Sequence, residues 1–157
     1  NLYVKTYLTN SNLFNAIEKV KLGEDSIYII SEIFGKGVQD LTYGQESPTF
    51  RVFDIYIGHP RQGRFMNYDE MAAFCMSNDL PMVPLVYRGT YSKDKVLELT
   101  NGKENISGKS LHVGEGIVIK TTIERIHPRH GRIQFKSVSE DYILRKTPKG
   151  VELTEFT

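Results

Sequence analysis

The sequence has little cysteine, no long hydrophobic run and no strong charge of either sign, and each absence removes a class of protein. Cys75 is the only cysteine among the 157 residues. It excludes an internal disulfide and a cysteine-rich zinc site, and it favours a reducing, intracellular compartment. No apolar run reaches the roughly eighteen residues of a membrane span, and no charged segment is followed by an apolar leader. We therefore expect neither a transmembrane segment nor a signal peptide.

The charge balance is close to neutral, with a formal net charge of +1. This excludes a strongly basic nucleic-acid-binding protein, so any contact with nucleic acid must come from local clusters of basic residues. The hydrophobic content of 39% and the charged content of 25% are ordinary for a folded chain. We expect residues 1–157 to form a single domain that buries a core.

The hydrophobic pattern predicts an α+β fold with an antiparallel β-sheet core and flanking short helices. Strands are expected at 2–8, 26–33, 50–57, 81–87, 115–122 and 132–137, and helices at 11–23, 67–75 and 92–99. The run at 26–33 is mostly apolar and predicts a central strand, whereas Pro84 favours an edge position for 81–87. The tail at 140–146 fits a helix or a strand.

Local signals support several of these elements. Asn67 and Glu70 have the spacing of a capping box before the second helix, and Ser92 can cap the third. The glycine-rich segment 58–63 and the segment 124–131 both predict hairpin connections. In 124–131, two histidines flank Pro128 and Arg129 without a third ligand, so a turn is favoured over a metal site.

Four short segments occur in an informative order. They are 31–35 (SEIFG), 53–55 (FDI), 115–120 (EGIVIK) and 135–136 (FK). Their order and separation resemble motifs III, IIIa, IV and V of the covalent nucleotidyltransferases, a superfamily of ATP-dependent RNA ligases, DNA ligases and mRNA capping enzymes. The wording of 124–125 and 136–139, together with the connector-like segment 80–90, is most similar to RNA ligases related to a Deinococcus enzyme.

This resemblance implies an adenylyltransferase fold and an ATP-dependent activity. In such ligases ATP charges a lysine with AMP, AMP passes to the 5′-phosphate of an RNA, and a 3′-hydroxyl displaces it. Magnesium or manganese assists throughout. The implied partners are ATP and RNA ends or a nicked duplex, with no membrane partner.

The resemblance also implies catalytic roles for three residues. Lys136 would contact the α-phosphate and neutralise developing charge, and Lys120 would be an auxiliary contact to phosphate or nucleic acid. Glu115 would place the divalent metal ion through water molecules. From the residues alone, a strand-end acid in a salt bridge and a solvated strand lysine are the alternatives.

Three further residues would line the nucleotide site by the same resemblance. Glu32 would bind the ribose hydroxyls or the water shell of the metal, Phe53 would stack on adenine, and Asp54 would support its neighbours. Taken singly, Phe53 is more typical of a core position, because aromatic side chains of strands usually pack inward. The densest basic patch, formed by Arg125, Arg129 and Arg132, suits RNA phosphates but also fits a solvated hairpin tip.

One expected motif is missing. The family carries its nucleophilic lysine in a Lys-x-[Asp/Asn/His]-Gly motif, and no lysine in this sequence has glycine three positions later. We expect residues 1–157 to be the C-terminal portion of a nucleotidyltransferase domain, holding motifs III to V without the nucleophile. A capping guanylyltransferase or DNA ligase, and a non-catalytic nucleic-acid-binding domain, stay open as alternatives.

Overall fold

The computed structural model describes residues 1–20, 26–38 and 41–146. In chain order its elements are α1 (Leu2–Leu8), α2 (Ser11–Val20), β1 (Ile27–Phe34), β2 (Thr49–Ile57), β3 (Arg64–Phe65), α3 (Tyr68–Ser77), α4 (Lys93–Thr100), β4 (Gly116–Lys120), β5 (Ile126–His127), β6 (Gly131–Arg132), β7 (Gln134–Val138) and α5 (Glu140–Lys146). The predicted α+β class, with antiparallel strands and short helices, is confirmed.

The chain divides into two compact units. Unit 1 comprises Asn1–Leu85 and Lys120–Gln134, and unit 2 comprises Val86–Ile119 and the residues from Phe135 onward. The division therefore falls near the end of β4 and the start of β7.

Unit 1 is built on a three-stranded antiparallel sheet with the order β1-β2-β3. The predicted hairpin at 58–63 is confirmed, because β3 pairs back onto the end of β2, with Tyr56 opposite Phe65. The prediction that 26–33 is a central strand is wrong: among the described strands of this sheet, β2 lies in the middle and β1 at one side. The sequence of a strand does not determine its position in the sheet. Here β3 follows the tight turn after β2 and pairs with β2, which places β2 in the middle.

The helices of unit 1 cover one face of this sheet. Leu13 and Ala16 of α2 and Met71 and Cys75 of α3 are buried in one cluster with residues of the sheet, which are Ile33, Phe50, Val52 and Ile55. Cys75 is fully buried, and burial raises the pKa of its thiol to about 11. Helices α2 and α3 thus pack against one face of this sheet.

The N-terminal segment differs from its predicted structure. Residues 2–8 form helix α1 and not the expected strand. The Asn1 side chain caps this helix by accepting the N–H of Tyr3 at 2.9 Å. An alternating pattern over seven residues is too short to override a good cap and the i, i+4 backbone bonds it starts.

Helix α3 begins as the sequence predicts. The Glu70 carboxylate accepts the backbone N–H of Asn67 at 2.7 Å, which is one half of a capping box. The predicted strand at 81–87 is wrong, since only Met82 forms a bridge, parallel to Val52 of β2. The α2 prediction is confirmed over Ser11–Val20, and its expected end near 23 lies outside the described residues.

Unit 2 contains α4, α5 and most of the β4 and β7 strands, which pair in a two-stranded sheet. The predicted strands 115–122 and 132–137 correspond to these two, although the segment between them adds the small antiparallel pair β5 and β6. Ser92 caps α4 as predicted. The tail at 140–146 is a helix.

Two contacts organise unit 2. Gly116 has φ +133°, and a Cβ at this position would lie 2.0 Å from the Ser137 carbonyl oxygen, so the close approach of β4 and β7 requires glycine. In the polar loop before β4, the buried Glu104 carboxylate accepts the N–H groups of Ser107 at 3.0 Å and Leu111 at 2.9 Å. Hydrogen bonds to this one carboxylate therefore stabilise the conformation of the loop.

Candidate functional site

A β-bulge at Phe53 shapes the face of the unit 1 sheet that lies opposite α2 and α3. Ile30 lies opposite Asp54, but the next residue of β1, Ser31, lies opposite Val52, so Phe53 is the extra residue of β2. A bulge shifts the alternation of side chains by one position. Phe50 and Val52 before it, and Ile55 after it, all belong to the core. Phe53 and Asp54 are thereby both turned away from the core, side by side.

Glu32 lies on this same face. Ile33 on β1 and Phe50 on β2 lie opposite each other and belong to the core. Glu32 and its register partner Arg51 are the next residues along the two strands, so both lie on the sheet face that points away from the core. The Glu32 side chain is exposed. The structure therefore brings three predicted site residues, Glu32, Phe53 and Asp54, to one face of one sheet.

Lys120 reaches this face from the end of β4. Its Nζ donates to the carbonyl oxygen of Phe53 at 2.7 Å and contacts Asp54 Oδ1 at 2.8 Å. The same nitrogen lies 5.7 Å from the centre of the Phe53 ring. The lysine thus fixes the bulge and places a positive charge beside the aromatic ring.

Arg132 binds both carboxylate oxygens of Asp54 and one further acid, Glu124. Its Nη1 and Nη2 donate to Asp54 at 2.7 and 2.8 Å, and Nε and Nη2 donate to Glu124 at 2.7 and 2.5 Å. The guanidinium carbon lies 3.8 Å from the centre of the Phe65 ring. A planar guanidinium suits this double fork and ring contact, whereas a lysine does not.

These four charged side chains form a neutral, mostly buried cluster, which we call the Asp54 cluster: Asp54, Lys120, Glu124 and Arg132. Asp54 is 8% exposed and Arg132 is 13% exposed. Burial on its own would raise the pKa of Asp54, but the hydrogen bonds from Arg132 and Lys120 and their positive charges outweigh it and lower that pKa. Burial on its own would lower the pKa of Arg132, but the hydrogen bonds and negative charges of Asp54 and Glu124 outweigh it and raise that pKa. Asp54 and Arg132 therefore both carry their charge at neutral pH.

The basic patch predicted from 125, 129 and 132 splits in the structure. Arg125 and Arg129 are exposed on the β5–β6 hairpin. Arg132 is enclosed by two carboxylates, so its expected contact with RNA stays a prediction and the structure gives it a supporting role. The rings of His127 and His130 stack at 4.7 Å at the tip of the same hairpin.

Unit 2 carries the other two predicted site residues. Glu115 precedes Gly116, and its carbonyl oxygen accepts the N–H of the buried Ser139 at 3.0 Å. Lys136 is exposed on β7, next to Ser137, whose hydroxyl bonds with that of the buried Thr100 at 2.7 Å. Hydrogen bonds thus fix the chain at Glu115 and next to Lys136.

Sequence reasoning missed the role of Glu124. The available signal was its separation from Arg132 by one hairpin, which brings residues on the two arms together. The bond between Arg132 and Asp54 spans 78 positions and leaves no local signal. In the part of the chain that the structure describes, no group of three or more His, Cys, Asp or Glu side chains could hold a metal ion. No described helix is long and apolar enough to span a bilayer.

The sequence of this chain matches the model of a known protein family. The model of the RNA ligase family matches residues 3–138. No curated protein sequence matches the chain.

Solved structures of a Naegleria gruberi RNA ligase have a similar fold. A K170A mutant with ATP and Mn superposes with a TM-score of 0.71 at 18% identity, covering 92% of this chain and 41% of that one. A K170M mutant with AMP and Mn gives a TM-score of 0.72 at 18% identity, covering 92% and 40%. The chain thus spans about two fifths of the length of the ligase it resembles.

Proposed function

Because the chain belongs to the RNA ligase family, we propose that it forms part of the adenylyltransferase domain of an ATP-dependent RNA ligase. That enzyme joins RNA 3′-hydroxyl and 5′-phosphate ends, free or in a nicked duplex. Residues 1–157 are the C-terminal portion of the domain, with motifs III to V. The Naegleria structures with ATP or AMP and Mn support the choice of nucleotide and metal.

The bulge at Phe53 is the observation that carries this proposal. It takes a phenylalanine out of the core and sets its ring beside a lysine ammonium on an open sheet face. A flat aromatic ring with a neighbouring cation suits a purine base attached to phosphates. A core phenylalanine, the alternative reading, would not need the extra residue in β2.

The Asp54 cluster would keep this platform in place. Lys120 holds the carbonyl oxygen of Phe53, and Asp54 holds Lys120. Positioning of this kind accounts for much of the rate enhancement in phosphoryl and nucleotidyl transfer. Glu32, exposed on the same face, is proposed to bind the ribose hydroxyls.

Glu115 and Lys136 are proposed to act on the phosphates. Lys136 would neutralise charge that develops on the α-phosphate, and Glu115 would orient water molecules on a divalent ion. The absence of a three-ligand cluster among the described residues fits magnesium or manganese, which is usually held by one or two carboxylates, waters and substrate phosphates. When bound, the ion would supply charge neutralisation.

Nucleotide binding tests the role of Phe53 directly. We expect Phe53→Leu to weaken binding of ATP and Mn²⁺ by about 5- to 150-fold, since loss of base stacking costs ~1–3 kcal/mol. The matched control is Phe14→Leu, on α2, whose ring is 42% exposed. Titration calorimetry of the chain gives both values, and equal affinities for the two variants would contradict the proposal.

The phosphate-directed roles need a sealing assay. In a protein that includes the lysine motif, Glu115→Ala and Lys136→Ala should each abolish RNA sealing and leave the circular dichroism spectrum unchanged. Lys109→Ala, an exposed lysine of unit 2, is the control. Sealing at the normal rate by either site variant would remove that residue from the site.

The compartment follows from the same proposal. A ligase that acts on RNA with ATP is expected inside the cell, and the buried single thiol of Cys75 is compatible with a reducing environment.

A further inference from the structure

A groove of about 540 Å³ opens in unit 1 beside the β2–β3 hairpin, and we call it the hairpin groove. Its lining includes two aromatic rings, two arginine–glutamate pairs and one further arginine. The volume lies in the range of ligand sites, about 300–1,000 Å³. None of the predicted nucleotide residues Glu32, Phe53 and Asp54 lines it, whereas Glu124 and Arg132 of the Asp54 cluster do.

The floor of the groove is preformed. The Tyr56 and Phe65 rings meet edge to face with centroids 5.1 Å apart. Gly63 lies against them: a Cβ there would be 2.1 Å from the Ile57 carbonyl oxygen and 2.7 Å from the Tyr56 ring. Only glycine permits this close passage of the chain, so the aromatic floor depends on the hairpin sequence.

The walls of the groove are two arginine–glutamate pairs without net charge, and a hydrogen bond connects them. On one side Arg64 forms two bonds of 2.8 Å with Glu70. On the other side Arg132 is bound by Glu124. The Asn67 side-chain oxygen accepts the backbone N–H of Glu124 at 2.8 Å, which joins the start of α3 to the second wall. A ligand would therefore meet a rigid site without having to break these pairs first.

Two side chains that line the groove lie outside these ion pairs: one is a cation and the other is apolar. Arg61 is exposed, and among the described residues its guanidinium has no acidic partner. Ile126 also lines the groove, although its side chain is 78% exposed to solvent. An exposed apolar side chain beside aromatic rings, with an uncompensated arginine, suits a ligand that has a flat apolar part and a negative part. A nucleotide unit of an RNA strand has both.

We propose that the hairpin groove binds one nucleotide of the RNA substrate, with its phosphodiester on Arg61 and its base against Ile126. This inference rests on the proposed function for its ligand class, but it uses a different part of unit 1. It adds a contact to RNA that does not require ATP, although Glu124 and Arg132 of the Asp54 cluster form one wall of the groove.

The test is binding of a short fluorescent single-stranded RNA to the chain, followed by anisotropy at several salt concentrations without ATP. Arg61→Gln should weaken binding about fivefold and reduce the salt slope of log Kd by about 0.7, the value for one lost phosphate contact to a single strand. Ile126→Glu should weaken binding more, because it places a carboxylate in the groove.

Two controls make the same charge changes outside the groove. Met76→Glu alters a side chain of α3 that is 77% exposed and does not line the groove, and Arg145→Gln removes an exposed arginine of α5. Both should keep Kd within about twofold, since distant surface charges are screened. All four positions are exposed, so the variants should fold normally.

Three results would overturn the proposal. The first is no RNA binding by the unchanged chain, and the second is an equal loss in the groove variants and their controls. The third is weaker binding of free AMP in Arg61→Gln and Ile126→Glu, which would make the groove a site for free nucleotide. None of these touches the Phe53 test, so failure of the groove and failure of the nucleotide platform are distinguishable.

Discussion

Removing the guanidinium of Arg132 should destabilise unit 1 far more than removing that of Arg64. Both arginines form a two-bond pair with a carboxylate, but their burial differs. The Arg132 side chain is 13% exposed and its partners Asp54 and Glu124 are 8% and 18% exposed. The Arg64 and Glu70 side chains are 59% and 42% exposed.

The magnitude follows from what the change leaves behind. In Arg132→Met, two carboxylates face one lysine, and Glu124 loses both bonds from the guanidinium. Breaking a buried ion pair on one side costs ~3–5 kcal/mol. Asp54 keeps Lys120 at 2.8 Å, so we expect the lower end, ~3 kcal/mol. With a urea m-value of about 2 kcal/mol/M, the midpoint should fall by about 1.5 M.

Cys75 provides an assay confined to unit 1. Its side chain is fully buried and burial raises the pKa of its thiol to about 11, so it should react with a disulfide reagent only after unfolding. Labelling against urea concentration then reports the unfolding of this unit. A midpoint for Arg132→Met equal to that of Arg64→Met would refute the reasoning, because the buried cluster would then contribute no more than a solvated pair.

Two further changes have defined outcomes. Asp54→Asn should flatten the acid limb of the stability curve: the folded-state pKa of Asp54 is lowered from 3.8, so its stabilisation is complete above that pH and is lost as pH falls through the lower folded value. The measurement is thiol labelling in urea at several acid pH values, and an unchanged slope would contradict it. Gly116→Ala should lower the unfolding midpoint followed by circular dichroism more than Gly108→Ala, because only at Gly116 does a Cβ meet the Ser137 carbonyl; equal effects would mean that the close approach of the strands is not needed.

Local signals predicted much of the fold. The Asn67–Glu70 spacing, the Ser92 cap and the glycines of 58–63 act within a few residues, and the structure contains the corresponding helix starts and hairpin. The segment 2–8 failed for the same reason: its alternation is local too, and a capping asparagine favoured a helix. Signals of this range fix an element but not its neighbours in a sheet.

The site could be predicted only in part. The order of the four motifs pointed to Phe53 and Asp54, but an alternating strand would have put these neighbours on opposite faces. The bulge that unites them depends on the register of β1, which no feature within β2 reveals. In the same way, the sequence grouped Arg132 with Arg125 and Arg129, while the structure pairs it with an acid 78 positions away.

The proposed ligase chemistry has a direct test in nucleotide transfer to lysine. The chain is incubated with α-labelled ATP or, separately, GTP and with Mg²⁺, alone and with a segment that carries the Lys-x-[Asp/Asn/His]-Gly motif, and mass spectrometry locates any bound AMP or GMP. We expect no label on the chain alone, since none of its lysines stands in that motif, and an AMP-labelled lysine once the segment is supplied. Absence of label in both cases would favour a nucleic-acid-binding module, and transfer from GTP in place of ATP would indicate a capping enzyme; either result would contradict an ATP-dependent RNA ligase.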